Sequence, residues 1–211
     1  ARLKVMPAIF SRQFVLMWLV FFCNIVAGIS VISFQSPLLQ ELWKKGDALA
    51  SPQRLAAYGA TLIAVSSVFN GLGRFSWGSL SDRLGQLATF RLMLASQALA
   101  FIALRFTSNP LLFGVLICYI LLCYGGGFGV MPSFVLNRFG AGLMPVIYGG
   151  ILTAWSVGGI VGPQAVALLK DRYAAQASGY AFALGAGLLT LGWLLSLLVP
   201  VAARRDPPPD A

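Results

Sequence analysis

Residues 70–85 read NGLGRFSWGSLSDRLG. The stretch starts inside a long apolar run and ends in an Asp-Arg pair. It spends four glycines on the way, and its arginine, Arg74, precedes Asp82 by eight residues. If the run is a helix, a rise of about 1.5 Å per residue puts Arg74 about 12 Å inward from the charged turn. An arginine that deep in an apolar span costs from about 3 to more than 10 kcal/mol. Either it serves a function there, or its long stem snorkels to the interface. The turn itself divides two apolar runs and so fixes where one span ends and the next begins.

The rest of the 211 residues supports a membrane setting. The chain is 58% hydrophobic and only 10% charged, where soluble domains carry about 25% charged residues. Mean hydropathy is +0.82. Apolar stretches of about 20 residues recur, each long enough to span about 30 Å of hydrocarbon as a helix. Six spans are expected: 13–36, stopped by Pro37, then 54–79, 88–106, 111–136, 145–169 and 178–201. Loops are expected at 81–86, at Ser108-Asn109-Pro110 and at KDRYAAQ (170–176), with a polar, proline-rich tail at 202–211. The fold class is therefore all-α, a polytopic membrane protein. The chain begins at Ala1 without a signal peptide, so a fragment or a processed chain is expected.

Several function classes drop out. The net charge of +9 is scattered in ones and twes along loops, so no nucleic-acid partner is expected. The chain has no histidine, which removes Ser-His, Cys-His and HExxH chemistry. Cys23, Cys118 and Cys123 all fall in apolar spans and read as small buried hydrophobes. No enzyme activity, metal or cofactor is expected. Six spans put both termini on one side. That side holds eight cations (Arg2, Lys4, Arg12, Arg83, Arg91, Arg138, Arg204, Arg205). The other holds six (Lys44, Lys45, Arg54, Arg105, Lys170, Arg172). The bias places both termini in the cytoplasm, in a cell membrane such as a bacterial inner membrane. Trp18 and Trp77 are expected in the aromatic belt on that side.

Residues 58–66, YGATLIAVS, are echoed by 148–156, YGGILTAWS. Each opens the second span of a triplet, the pattern of a 3+3 inverted repeat in secondary transporters. Glycine clusters at Gly125-Gly126-Gly127-Phe128-Gly129 and Gly158-Gly159-Ile160-Val161-Gly162. Small residues four apart let helix backbones approach closely, or let a helix bend in a gate.

Residues 78–85, GSLSDRLG, resemble the signature loop of the major facilitator superfamily, Gly-x-Leu-Ala/Ser-Asp-Arg-x-Gly. Gly78, Leu80, Asp82, Arg83 and Gly85 match, and Gln86 replaces the usual basic residue. NGLGRFSWG and YGGILTAWSVGGIVGP look like the oxalate/formate antiporter family, a relative of the monocarboxylate transporters. The resemblance implies the C-terminal six-helix half of a twelve-helix transporter. It makes 1–12 the end of a central cytoplasmic loop, 13–201 the six-helix bundle and 202–211 a cytoplasmic tail. The N-terminal six-helix half and the lipid bilayer become partners. Gly78, Asp82, Arg83 and Gly85 are implied to govern a cytoplasmic gate.

The same resemblance implies that Arg74 binds an anionic substrate, and a planar guanidinium suits a carboxylate. Trp155 stands where the oxalate transporter carries a lysine. One cation fewer favours a monocarboxylate such as formate, lactate or pyruvate over oxalate. Trp155 lies about 15 Å past Pro145, near the midplane, to shape a pocket or to pack as ordinary core. Asn70 replaces the aspartate of monocarboxylate transporters and cannot titrate. All six carboxylates (Glu41, Asp47, Asp82, Asp171, Asp206 and Asp210) lie outside the expected spans, so no proton relay is placed in this segment. Asn24, Gln35, Tyr124, Tyr148 and Thr153 are further polar candidates, and Asn70, Tyr124 and Tyr148 rank first among the polar groups. The expected function is transport of a small carboxylate anion by alternating access. A proton-linked drug or sugar carrier, or a non-transporting scaffold, is the alternative.

Overall fold

The computed structural model describes residues 2–200. Its helices are α1 (Arg2–Ile9), α2 (Arg12–Gly46), α3 (Pro52–Leu84), α4 (Gln86–Phe106), α5 (Pro110–Phe139), α6 (Met144–Tyr173) and α7 (Ala177–Leu197). A short 3-10 turn, Ala174–Gln176, joins the last two. Helices α2 to α7 are each long and apolar enough to cross a membrane. The expected all-α, six-span fold is what the chain adopts; the expected tail at 202–211 lies outside the described residues.

Local chemistry sets the helix starts. The Ser11 and Ser51 hydroxyls accept from the backbone N–H groups of Phe14 and Arg54. Asn109 Oδ1 accepts from Leu111 and Leu112 at 2.8 and 3.2 Å. Pro52 and Pro110 follow their caps in the first turn, where a missing N–H costs nothing.

Several boundaries differ from expectation. Pro37 does not stop the first span: α2 continues to Gly46. A proline removes one ladder bond, which a membrane helix tolerates when its surroundings satisfy the freed carbonyl. Lys44 and Lys45 then end the helix on the negative pole of its dipole. Lys170–Tyr173, expected in a loop, form the last turn of α6. The loop expected at 81–86 shrinks to Gly85 alone, α7 stops at Leu197, and α1 occupies part of the segment expected as loop 1–12.

The packing has an internal two-fold pattern. Helix α3 packs on α5 as α6 packs on α2, and α4 meets α5 as α7 meets α2. The pair α2·α3 has its mate in α5·α6, and α3·α4 in α6·α7. The pairs α4·α7 and α2·α5 map onto themselves. Exchanging α2–α3–α4 for α5–α6–α7 therefore leaves the architecture unchanged, which is the structural form of the sequence echo. Phe21, Phe90, Met93, Phe101, Ile117 and Ile120 are sealed in the core by α2, α4 and α5. Helices α3 and α6 are the least covered of the six.

Candidate functional site

The site is built on the seam between α3 and α5. Gly73 abuts the Leu122 carbonyl, Gly125 the Asn70 carbonyl and Gly129 the Arg74 backbone, and a Cβ at any of the three would overlap main-chain atoms. Gly158 and Gly162 pack on α2 at Ile25, Val26 and Ser30. Both glycine runs lie in continuous helices and serve close backbone approach here.

That approach pins the backbone of Asn70 and Arg74 to α5 while the Arg74 side chain emerges on the exposed face. Its guanidinium carbon stands 5.5 Å from the Phe128 ring centroid, over the ring. Phe128 in turn meets Tyr124 at 5.4 Å, Phe21 at 5.2 Å and Trp155 at 6.2 Å, all in edge-to-face geometry. Tyr124 joins the cluster through Phe128, and Tyr148, half-buried in the first turns of α6, packs against the core. Residues from α3, α5 and α6 thus converge around one ring. Trp155 is 51% exposed, which sets it apart from ordinary core packing, whereas Tyr124 is only 6% exposed and covers Gly28 of α2.

Phe128 escaped the sequence reading. The signal was present: within Gly125–Gly129 it is the one residue with a side chain, so that stretch of α5 can present nothing else.

The other polar candidates are placed differently. Asn70 turns its Oδ1 into the seam beside Gly125, buried and without a hydrogen-bond partner among the described residues. Asn24 is fully buried next to Gly127, and neither its Oδ1 nor its Nδ2 is paired among the described residues. Gln35 accepts a 2.9 Å bond from the buried Ser66 hydroxyl, a link between α2 and α3. Thr153 accepts from Trp18 Nε1 at 2.9 Å, tying α6 to α2 close to Trp155. Trp77, expected in the aromatic belt, is 7% exposed and packs on Gly126, because the glycine run opens a slot for its ring.

At the turn after α3, Gly85 has φ of 83°, in the left-handed region that favours glycine. Gly78 lies inside α3 and takes no part in the turn. Asp82 and Arg83 are exposed in the last turn of α3. Asp82 does not cap α4, whose N-terminus has no side-chain cap.

Chemically, the cluster offers one exposed cation on an aromatic wall. The ring face holds the cation electrostatically, and the fork of donors stays open to an anion.

The sequence model of a family described as Major Facilitator Superfamily matches residues 1–163. Apicoplast pyruvate carrier 1 of Toxoplasma gondii is 32% identical over 157 residues, which covers 72% of this chain and 27% of that protein. The chain therefore spans little more than a quarter of that relative's length.

Proposed function

This chain belongs to the major facilitator superfamily, and on that premise we propose that it takes part in moving a small carboxylate anion across a membrane by alternating access. It is a multi-pass membrane protein of transporter type. Arg74 is the anion's anchor. The observation that carries this reading is the exposed guanidinium set over Phe128, whose ring is flanked by Trp155 and Tyr124. A cation on an aromatic wall suits a carboxylate with a short apolar end. With Trp155 supplying a ring and no second charge, one carboxylate is matched better than two, so pyruvate, lactate or formate is favoured over oxalate. The likeness to a protein named as a pyruvate carrier supports the same class.

The six helices act as the C-terminal half of a twelve-helix transporter, with both termini in the cytoplasm. The uncovered sides of α3 and α6 face the N-terminal half, and the substrate site forms between the halves. Asp82 and Arg83 contribute to the cytoplasmic gate. The test is uptake of labelled pyruvate, lactate, formate and oxalate into proteoliposomes holding the full-length protein, beside Arg74→Gln. Uptake of one monocarboxylate that Arg74→Gln abolishes while the protein stays folded supports the reading. Uptake that survives the substitution, or uptake of sugars or drugs but no carboxylate, overturns it.

A further inference from the structure

A second cationic site lies far from Arg74. A cavity of about 450 Å³ sits at the end of the bundle opposite the Asp82 turn. Its walls come from the last turns of α2 and α4 and the first turns of α5 and α7. The charged side chains lining it are Lys45, Arg105 and Glu41, two cations against one carboxylate. The Arg105 guanidinium lies against Gly179 in the first turn of α7, where an added Cβ would stand 2.6 Å from Nη1. Deeper, the lining is apolar and includes Leu42, Phe113 and Phe182. The wall residues Arg105 and Pro110 are followed in sequence by Phe106 and Leu111, whose side chains are exposed.

The geometry points to a binding site for the phosphate headgroup of an anionic membrane lipid, held by Lys45 and Arg105, with the start of an acyl chain on Leu42, Phe113 and Phe182. Three features select this occupant. The net positive lining selects an anion, and a phosphate suits the Arg fork and the Lys point charge. The apolar depth suits hydrocarbon and offers nothing to a small hydrated anion. The exposed apolar flanks place the mouth among lipids of the leaflet opposite the Asp82 turn, at the level where long basic side chains snorkel to headgroups. This site is independent of the transport reading: it shares no residue with the Arg74 cluster.

The test is native mass spectrometry of the full-length protein in detergent, titrated with phosphatidylglycerol or phosphatidylcholine. Phosphatidylglycerol is expected to bind at least about fivefold more tightly, and each of Lys45→Gln and Arg105→Gln to weaken it about fivefold, the worth of one basic residue at an anionic headgroup. Glu41→Gln, which removes the opposing charge, is expected to tighten phosphatidylglycerol, and it probes the site without deleting either cation. Melting temperature is recorded for each variant, so that lost binding is counted only where the fold persists. Equal binding of the two lipids overturns the proposal. So does phosphatidylglycerol binding unchanged in all three variants, or displacement of bound lipid by millimolar inorganic phosphate, which would assign the pocket to an aqueous anion.

Discussion

The two helix seams related by the internal two-fold, α3·α5 and α2·α6, share an architecture and differ in chemistry. Both use glycines to pack closely: Gly73, Gly125 and Gly129 set one backbone against another in the first, while in the second Gly158 receives the Ile25 side chain and Gly162 approaches the Val26 carbonyl. The echo that pairs Tyr58 with Tyr148 also pairs Arg74 with Gln164 and Val65 with Trp155. The first seam therefore carries a fixed cation and the second, at the matching position, an uncharged, exposed amide. Packing can be duplicated because it depends on small residues and shape. A recognition site for one anion cannot be symmetric, since a second cation would select a second negative charge.

The largest effect expected is on that asymmetry. Arg74→Gln should lower carboxylate uptake at least about a hundredfold, as loss of the charge partner of a bound, desolvated anion does, while Gln164→Leu in the sister seam, which removes no charge, should leave it within about twofold. Uptake assays on both variants decide it, and equal losses would break the contrast.

Next comes packing. Gly129→Val forces a side chain onto the Arg74 backbone and should cost about 3 kcal/mol, the upper end of overpacking. Gly159→Ala meets nothing closer than Ile29 Cδ1 at 4.0 Å and, by restricting the unfolded chain, should raise stability by about 0.5–1 kcal/mol. Thermal unfolding in detergent distinguishes them.

Phe128→Leu removes the ring beneath the guanidinium and should weaken substrate binding about three- to tenfold through lost cation–π attraction. A competition series on proteoliposomes reads this directly; an unchanged apparent affinity would separate Phe128 from the anion site.

The smallest effect sharpens the polar side of the seams. Asn24→Leu replaces a buried amide with no partner by an apolar group of similar size, and a gain of about 1 kcal/mol is expected. A lower melting temperature would mean that Asn24 holds a partner, such as a buried water, in the folded protein.

How much of this was legible beforehand follows from which forces are local. Six spans were readable because burying 20 apolar residues in lipid leaves only a helix to satisfy the backbone. The caps at Ser51 and Asn109 and the turn at Gly85 are local signals as well. Pro37 misled because a proline's cost depends on what surrounds the freed carbonyl, which the sequence does not state. Trp77 misled for a similar reason, since the slot that buries it belongs to α5.

The sequence by itself determined the membrane setting, the number of spans, the duplicated order of elements and the presence of one deep arginine. The tertiary structure decided which residues stand around that arginine. It put Phe128 against it with Trp155 and Tyr124 on that ring, turned the Asn70 oxygen into the seam and sealed Asn24 against Gly127. The physical reason is the helix surface. A span that is apolar on every side shows no preferred face in its sequence, so its rotation is set by where a neighbouring backbone can come close, and glycines on two helices must meet before that is defined.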